Sequence, residues 1–126
     1  LLRASDYVSI NCPLARDTRG MIGAREFALM QPHAYFITTA RGFIHDEAAL
    51  LEALRDKRIA GAGLDIFTKQ PLPPDNPLWR MPNVIITPNI GGRSDRFVEQ
   101  TMAVVEPNLQ AFVEGRPKDL RNLVAH

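Results

Sequence analysis

The sequence predicts an α/β domain built on a parallel sheet with helices packed against it. Apolar segments that favour strands alternate with segments of helical spacing, in the order strand, helix, strand, helix, strand. The strand segments are apolar almost throughout, as burial on both faces of a sheet requires. Parallel sheets bind ligands at the carboxyl ends of their strands, so the polar residues that follow each strand are the candidate site.

The first part of the chain contains two predicted strands with a helix between them. Residues 7–12 form a strand that Pro13 closes, and residues 15–20 form a polar loop. Apolar side chains at helical spacing predict a helix over residues 24–30, which a following proline ends. Residues 34–38 are apolar and β-prone, and they form the second strand.

A second helix and a third strand follow. Asp46 is a good N-cap for a helix over residues 48–55, which places three leucines on its inner face. Residues 59–66 form the third strand and include Gly61 and Gly63. Glycine inside a strand is typical of a place where another backbone or a ligand approaches closely.

The remaining elements are a loop, a strand and a long helix. Residues 69–77 hold four prolines and are predicted to be irregular, and Trp79 just beyond is expected near a pocket mouth or a subunit contact. Residues 84–87 form the fourth strand. An amphipathic helix over residues 93–114 is expected to be kinked or interrupted at Pro107.

Composition excludes several classes of function. At 126 residues the chain holds at most one domain, with 45% hydrophobic residues and a net charge of +1. This balance does not support a nucleic-acid surface, and no apolar run approaches the roughly 20 residues that cross a bilayer. Cys12 is the only cysteine, so the reducing cytoplasm is the expected location. The chain lacks an initiator Met, which suggests a fragment of something longer.

Two charged residues follow the predicted strands. Arg41 lies between a strand and Gly42, where its guanidinium can bind a carboxylate through two hydrogen bonds. A surface salt bridge is the alternative, but the position beside a glycine favours a ligand. Asp65 can accept hydrogen bonds from an amide or sugar hydroxyl of a ligand, or it can cap the following loop, and neither role is preferred.

Smaller and neutral residues complete the strand ends. Thr39 and Cys12 are small enough to let a flat ligand pass, although core packing explains them equally well. Residues 86–92 read I-T-P-N-I-G-G and place the amide of Asn89 on a turn that contains two flexible glycines. That arrangement delivers a side chain to a ligand, but an amide does not exchange a proton near neutral pH.

Several motifs occur together at characteristic spacing. They are Ser5-Asp6-Tyr7-Val8-Ser9, Pro13-Leu14, Thr18-Arg19-Gly20, Thr39-Ala40-Arg41-Gly42, Asp46-Glu47-Ala48-Ala49-Leu50, Gly61-Ala62-Gly63-Leu64-Asp65-Ile66-Phe67, Pro71-Leu72-Pro73, Asn83-Val84 and Thr87-Pro88. In this pattern the chain resembles the D-isomer-specific 2-hydroxyacid dehydrogenases over nearly its whole length.

The resemblance implies a two-domain enzyme whose NAD-binding Rossmann domain is inserted into a substrate domain. The chain would then be the later half of a Rossmann-type doubly wound parallel sheet, over residues 1–98, plus a long C-terminal helix and tail, over residues 99–126, that return to the substrate domain. The glycine-rich loop and the ribose-reading acid of the family lie upstream of this segment. NAD or NADP would be the cofactor, a small 2-oxo or 2-hydroxy acid the substrate, and a homodimer the assembly.

The resemblance also assigns roles to single residues. Arg41 would hold the substrate carboxylate and polarise the 2-oxo group, while Thr39 and Asp65 would lie near the ribose and carboxamide on the nicotinamide side. The full set of implied cofactor-binding residues is Cys12, Pro13, Thr39, Ala40, Asp65, Asn89, Gly91 and Gly92.

The chain departs from the family at the catalytic pair. The family has a Glu before a proline and a His after Thr-Pro, and these positions hold Gln70 and Asn89. Two neutral amides can hydrogen-bond each other and can donate to a carbonyl oxygen, but they cannot deliver a proton at neutral pH. General acid–base catalysis is worth about 10²–10⁴-fold. His45, Lys69 or Arg93 could replace the donor, although His45 is expected at the surface where a helix starts. Otherwise water supplies the proton, or the substrate needs none at the reacting atom.

Three interpretations follow. The first is an oxidoreductase that transfers hydride between a nicotinamide cofactor and a small 2-hydroxy or 2-oxo acid, with Arg41, Gln70 and Asn89 as the catalytic set. The second is a catalytically impaired regulatory protein that binds a dinucleotide or an acid on the same fold. The third is a truncated chain. Retention of Arg41 and Asp65 at the strand ends favours the first.

Overall fold

The computed structural model describes residues 1–123. Residues 124–126, which the sequence predicts as the end of the C-terminal tail, lie outside the described residues. The chain divides into two compact units, Leu1–Gly91 and Gly92–His126.

The first unit is an α/β structure around a parallel sheet, as predicted. Its main elements are β1 (Tyr7–Ile10), α1 (Ala24–Ala28), β2 (Tyr35–Thr38), α2 (Glu47–Arg55), β3 (Gly61–Leu64) and β4 (Val84–Ile86). The four strands are parallel and lie in the order β1-β2-β3-β4. All four carboxyl ends therefore meet at one edge of the sheet, which is where the sequence places the candidate site.

The hydrophobic core lies on one face of this sheet. Phe27 of α1 meets Phe36 of β2 edge to face, with ring centroids 5.1 Å apart, and both side chains are buried. On the opposite face Tyr7 and Ile85 are about two-thirds exposed or more. The expectation of burial on both faces is therefore met on one face only within the described chain. Right-handed crossovers between strands in the order 1-2-3-4 place both helices on the same side, which accounts for the difference.

Element bounds are mostly shorter than predicted. The first strand ends at Ile10 and not at residue 12, and the third covers Gly61–Leu64 and not 59–66. Apolar residues beyond these ends, such as Ile59 and Ile66, are buried in the flanking loops, so apolarity alone extends the predicted strands too far. The predicted N-cap is confirmed, because a carboxylate oxygen of Asp46 accepts the backbone N–H groups of Ala48 and Ala49 at 2.9 and 3.1 Å.

The second unit contains one long helix, α3 (Phe97–Val113). The helix begins later than predicted and runs through Pro107, so the predicted interruption is wrong. The tail folds back on the helix within this unit, since the side chain of Asn108 accepts the N–H of Arg121 at 2.8 Å and donates to its carbonyl at 3.0 Å. Among residues 1–123, no helix combines the length and apolarity needed to cross a membrane.

Candidate active site

A cavity of about 460 Å³ opens at the carboxyl edge of β3 and β4. Its polar lining includes Asp65, Gln70 and Asn89, three of the residues that the sequence singles out. Gln70 and Asn89 lie 19 positions apart in the chain, and the fold brings them into direct contact. The two amides therefore line one cavity together.

Hydrogen bonds fix the orientation of the side-chain amides of Gln70 and Asn89. Gln70 Nε2 donates to the carbonyl oxygen of Phe67 at 3.3 Å, and Asn89 Nδ2 donates to Gln70 Oε1 at 3.1 Å. A backbone carbonyl can only accept, so it directs the NH₂ group of Gln70 towards itself and leaves the amide oxygen for Asn89. Asn89 Oδ1 and the second N–H of Asn89 Nδ2 have no partner within residues 1–123, so the exposed end of the pair offers both an acceptor and a donor.

The backbone at Asn89 explains which residues suit this position. Its φ angle is +56°, in the left-handed region that most side chains avoid. Asn, Asp and His are several-fold enriched there among non-glycine residues. The backbone N–H of Asn89 is also held, because it donates to the carbonyl oxygen of Asp65 at 3.1 Å. Asn89 therefore suits the backbone of this turn.

Asp65, at the end of β3, organises the turn that carries Asn89. Its Oδ1 accepts the backbone N–H of Ile90 at 2.9 Å and the hydroxyl of Thr87, and its Oδ2 accepts the N–H of Gly91 at 2.8 Å. Burial would raise the pKa of this carboxyl, but the hydrogen bonds from Thr87, Ile90 and Gly91 together bring the pKa below its usual range. The side chain is consequently an anion at neutral pH whose oxygens accept hydrogen bonds from the turn. Oδ2 can accept one further hydrogen bond.

Gly91 sits where the turn passes close to two neighbouring strand ends. A Cβ atom built at this position would lie 2.9 Å from Asp65 Oδ2 and 3.4 Å from Cβ of Thr39. A side chain here would therefore displace Asp65 or Thr39. Gly92 begins the second unit, and a Cβ atom there would meet nothing within 4 Å.

A wider cavity, of about 700 Å³, opens at the carboxyl ends of β1 and β2. Cys12, Pro13, Thr39, Ala40 and Arg41 all line it, as the sequence predicts for a flat ligand passing over small residues. Asn11 also lines it and was missed by the sequence reasoning. Its Oδ1 accepts the hydroxyl of Thr39 at 3.2 Å. The sequence reasoning missed it because the predicted strand ran to residue 12 and so included Asn11, whereas the observed strand ends at Ile10.

Arg41 lines this wider cavity and not the one that holds Gln70 and Asn89. Its guanidinium Nη1 donates to the carbonyl of Ala40 at 2.7 Å, and no carboxylate within residues 1–123 pairs with it. Gly42, the next residue, lies in close contact with the backbone of the loop after β3. A Cβ atom at this position would lie 2.3 Å from the carbonyl carbon of Phe67. Most of the guanidinium donors thus remain available to a ligand.

The smaller cavity has an apolar wall that the sequence did not identify as a unit. Phe67, Leu72 and Ile86 contribute to it, together with Trp79. Trp79 is half exposed, and its Nε1 donates to the carbonyl of Pro73 at 2.9 Å, which anchors the indole at the rim. The expected place of Trp79 near a pocket mouth is confirmed.

His45 does not lie where the sequence places it. It is 4% exposed and meets the ring of Phe36 edge to face, with centroids 5.4 Å apart. Burial lowers the pKa of this imidazole to about 4 even though Asp46 nearby acts to raise it. A buried neutral imidazole away from both cavities cannot act as the replacement proton donor. Lys69 is exposed and does not line the smaller cavity either.

The family model for the NAD-binding domain of D-isomer specific 2-hydroxyacid dehydrogenases matches residues 1–91. The chain belongs to this family. It is 40% identical over 123 residues to a glyoxylate reductase of Korarchaeum cryptofilum, covering 97% of this chain and 37% of that protein. The chain therefore spans little more than a third of the length of such curated relatives.

Solved structures of enzymes in complex with NADPH show the same fold. One is a D-isomer specific 2-hydroxyacid dehydrogenase from Xanthobacter autotrophicus Py2 in complex with NADPH and MES, with a TM-score of 0.85, 37% identity, and coverage of 98% of this chain and 50% of that one. Another is an acyclic imino acid reductase in complex with NADPH and D-Arg, with a TM-score of 0.85, 32% identity, and coverage of 98% and 38%. The first unit is thus a Rossmann-type segment of a nicotinamide-dependent dehydrogenase fold.

The wide cavity fits part of a nicotinamide dinucleotide. Its lining of small side chains leaves room for a flat ring, and the hydroxyl of Thr39 and the amide of Asn11 offer polar contacts. The described residues include no cluster of His, Cys, Asp or Glu able to hold a metal ion.

Proposed function

We propose that this dehydrogenase homologue transfers hydride between a nicotinamide cofactor and a small 2-hydroxy or 2-oxo acid, with Gln70 and Asn89 in place of the usual acid–base pair. The observation that carries the proposal is the joint placement of Gln70, Asn89 and Asp65 around one cavity at the carboxyl edge of the sheet. Relatives named glyoxylate reductase support a small 2-oxo acid as substrate. The relative named as an acyclic imino acid reductase supports reduction of C=N bonds on the same fold.

In this proposal the wide cavity holds the cofactor, either NAD or NADP. Cys12, Pro13, Thr39 and Ala40 line it. Asp65 lines the smaller cavity and would reach the cofactor with the remaining acceptor capacity of Oδ2, and Gly91 would allow close approach beside Thr39. When bound, the nicotinamide supplies or takes up the hydride.

Arg41 would bind the substrate carboxylate. Its guanidinium is exposed and carries no ion pair within residues 1–123, so its forked donors remain open to a planar anion. Lysine presents a single point charge and cannot reproduce two parallel hydrogen bonds. Arg41→Lys should therefore raise KM for glyoxylate or hydroxypyruvate by about 10-fold or more, with a smaller effect on kcat.

The matched control for this experiment is Arg58→Lys. Arg58 is an exposed arginine that precedes β3, at the opposite edge of the sheet from the cavities. It should leave both kinetic constants unchanged. Equal KM values for Arg41→Lys and the parent protein would contradict the assigned role.

The domain and assembly expectations also enter the proposal. Residues 1–98 would form part of a cofactor domain, and residues 99–126 would return to a substrate domain. The protein would act as a cytoplasmic homodimer. Light scattering after size-exclusion chromatography of the native gene product tests the dimer directly. A monomer at micromolar concentration would remove that part of the proposal.

A regulatory binding protein is the second candidate. It is favoured by the neutral amides at the positions of the proton donor and its partner. Calorimetry with NADH and NADPH, combined with assays of cofactor oxidation in the presence of 2-oxo acids, separates the candidates. Turnover supports the oxidoreductase, while tight cofactor binding without any turnover supports the regulator.

A further inference from the structure

The peptide group between Phe67 and Thr68 (the linking peptide) makes hydrogen bonds in two directions. Its carbonyl oxygen accepts Nε2 of Gln70 at 3.3 Å, and its N–H donates to Oε1 of Glu47 at 2.6 Å. The C=O and N–H bonds of a trans peptide unit point in nearly opposite directions. The linking peptide therefore connects Glu47, at the start of α2, with the amide that lines the smaller cavity.

The hydrogen bonds continue through the amide pair, which consists of Gln70 and Asn89. Gln70 Oε1 accepts Nδ2 of Asn89 at 3.1 Å, so three consecutive hydrogen bonds run from Glu47 to Asn89. Hydrogen bonds in such a chain polarise one another, and a bond to a carboxylate is stronger than one between neutral groups. The orientation of both amides therefore depends on Glu47, which lines neither cavity.

The linking peptide also packs against the turn that carries Arg41. Thr68 Oγ1 donates to the carbonyl oxygen of Gly42 at 3.3 Å, and a Cβ atom at Gly42 would lie 2.5 Å from the Thr68 nitrogen. Arg41, Gly42 and Glu47 all belong to the segment that runs from the end of β2 to the first residue of α2. Contacts of this one segment with the linking peptide therefore set the position of Arg41 relative to the amide pair.

We propose that Glu47 is a positioning residue, which holds the amide pair in place relative to Arg41 through the linking peptide. This inference rests on the proposed function, in which Arg41 binds the substrate carboxylate and the amide pair faces the reacting group. Glu47 itself touches neither substrate nor cofactor in this arrangement. Its contribution is to keep the group that binds the carboxylate and the groups that orient the reacting carbon at a fixed separation.

A purely structural role for Glu47 would be a favourable charge at the start of α2. An acidic side chain in the first turn of a helix interacts with the helix dipole, which requires the negative charge but no particular hydrogen bond. The positioning role requires an acceptor atom opposite the N–H of Thr68, and a neutral amide can supply one. Glu47→Gln separates the two roles, since glutamine removes the charge and keeps the acceptor.

The first experiment measures steady-state reduction of glyoxylate or hydroxypyruvate by the native gene product and its variants. Glu47→Ala should lower kcat by about 10-fold with little change in KM, because Arg41 still binds the carboxylate while the reacting group is no longer held in place. Glu47→Gln should restore most of kcat. An unchanged kcat in Glu47→Ala, or an equal fall in both variants, would overturn the positioning role.

The matched control is Glu52→Ala, at an exposed glutamate of the same helix. It removes a negative charge from α2 without touching the linking peptide, so both kinetic constants should stay unchanged. A fall in kcat as large as that of Glu47→Ala would assign the effect to helix charge and overturn the inference.

A double-mutant cycle tests whether Glu47 acts through Gln70. Gln70→Leu removes the amide that the linking peptide orients, so the chain of hydrogen bonds is already broken in that background. Adding Glu47→Ala should then lower kcat by less than about 2-fold further. In the background of Arg58→Lys, the distant control, Glu47→Ala should keep its full effect. Independent, multiplicative losses from Glu47→Ala and Gln70→Leu would contradict action through the amide pair.

Nuclear magnetic resonance gives a readout that does not depend on turnover. In the isotope-labelled native gene product, Glu47→Ala should shift the side-chain NH₂ signals of Gln70 and Asn89, whereas Glu52→Ala should leave them in place. Unchanged NH₂ signals in Glu47→Ala would overturn the positioning role alone, even if the parent protein turned over. Shifted signals in a protein without any turnover would overturn the proposed function and, with it, the kinetic role of Glu47.

Discussion

The carboxylate oxygen Oδ2 of Asp65 accepts the backbone N–H of Gly91 across 2.8 Å. The two residues lie 26 positions apart, and their contact ties the end of β3 to the turn after β4. Because Asn89 belongs to that turn, the position of its amide depends on a carboxylate from the neighbouring strand. The same carboxylate lines the smaller cavity, so one side chain both holds the turn and contributes a negative charge to the candidate site.

Asp65→Asn should destabilise the turn. In the native protein both carboxylate oxygens accept hydrogen bonds from backbone N–H groups. The asparagine variant has only one oxygen, so its NH₂ group would face one of those N–H donors and leave it without an acceptor. Leaving a buried donor unsatisfied costs about 1–3 kcal/mol, so the free energy of unfolding in urea should fall by that amount. The control is Asp75→Asn at an exposed carboxylate, which should be close to neutral. Equal stability of both variants would show that the turn does not rely on the carboxylate.

Gly42→Ala should be strongly destabilising. The added Cβ would lie 2.3 Å from the backbone carbonyl of Phe67, and a backbone cannot move aside as a flexible side chain can. We expect a loss of at least about 2 kcal/mol, as overpacking typically gives, measured by thermal or urea denaturation. Gly63→Ala is the matched control within β3, where the nearest atoms would be 3.9 Å away on Ile37. That change should be neutral or slightly stabilising, since alanine restricts the unfolded chain more than glycine does.

His45 should make the stability of the protein depend on pH. Burial lowers its pKa from 6.5 to about 4 in the folded state, with Asp46 opposing the shift. The unfolded chain therefore binds the proton first as the pH falls, so stability is complete above pH 6.5 and declines between pH 6.5 and pH 4. The full loss corresponds to about 3 kcal/mol.

The variant that isolates this effect is His45→Leu. It should flatten the decline in unfolding free energy over the same pH range, and it should raise stability at pH 7 because neither ring nitrogen has a hydrogen-bond partner in the described structure. His33→Asn serves as the control, since His33 is exposed and pairs with Asp6 at 2.8 Å. It should keep the pH dependence of the parent. A parent protein with no acid-induced decline over this range would refute the assignment.

Asp46→Ala should weaken the start of α2. The carboxylate accepts two backbone N–H groups in the first turn of this helix, at 2.9 and 3.1 Å. Loss of such a cap costs about 1 kcal/mol, and hydrogen exchange of the amides of Ala48 and Ala49 should accelerate accordingly. Asp46→Asn retains an acceptor and should preserve most of the protection. Similar exchange in both variants would mean that the charge, and not the hydrogen bond, stabilises the helix start.

Local patterns accounted for much of the fold. The α2 cap was predictable because a carboxylate ahead of a leucine-rich segment has a well-defined local role at a helix start. Strand positions followed from apolar runs, although their ends did not, since buried residues such as Ile59 and Ile66 continue the apolar pattern into loops. The continuity of α3 through Pro107 went against the local preference of proline, which shows that such preferences predict element type better than element bounds.

The sequence by itself determined the α/β class and the order of the elements, and it singled out Gln70 and Asn89 as a pair of neutral amides. Tertiary structure alone decided that these amides hydrogen-bond to each other, that Asp65 accepts backbone N–H groups of the turn after β4, and that His45 is buried. It also placed Arg41 in a different cavity from the amide pair. Residue type and local spacing predict secondary structure, because secondary structure depends mainly on neighbours in the chain. The direction of a hydrogen bond and the exposure of an imidazole depend instead on which distant segments pack side by side.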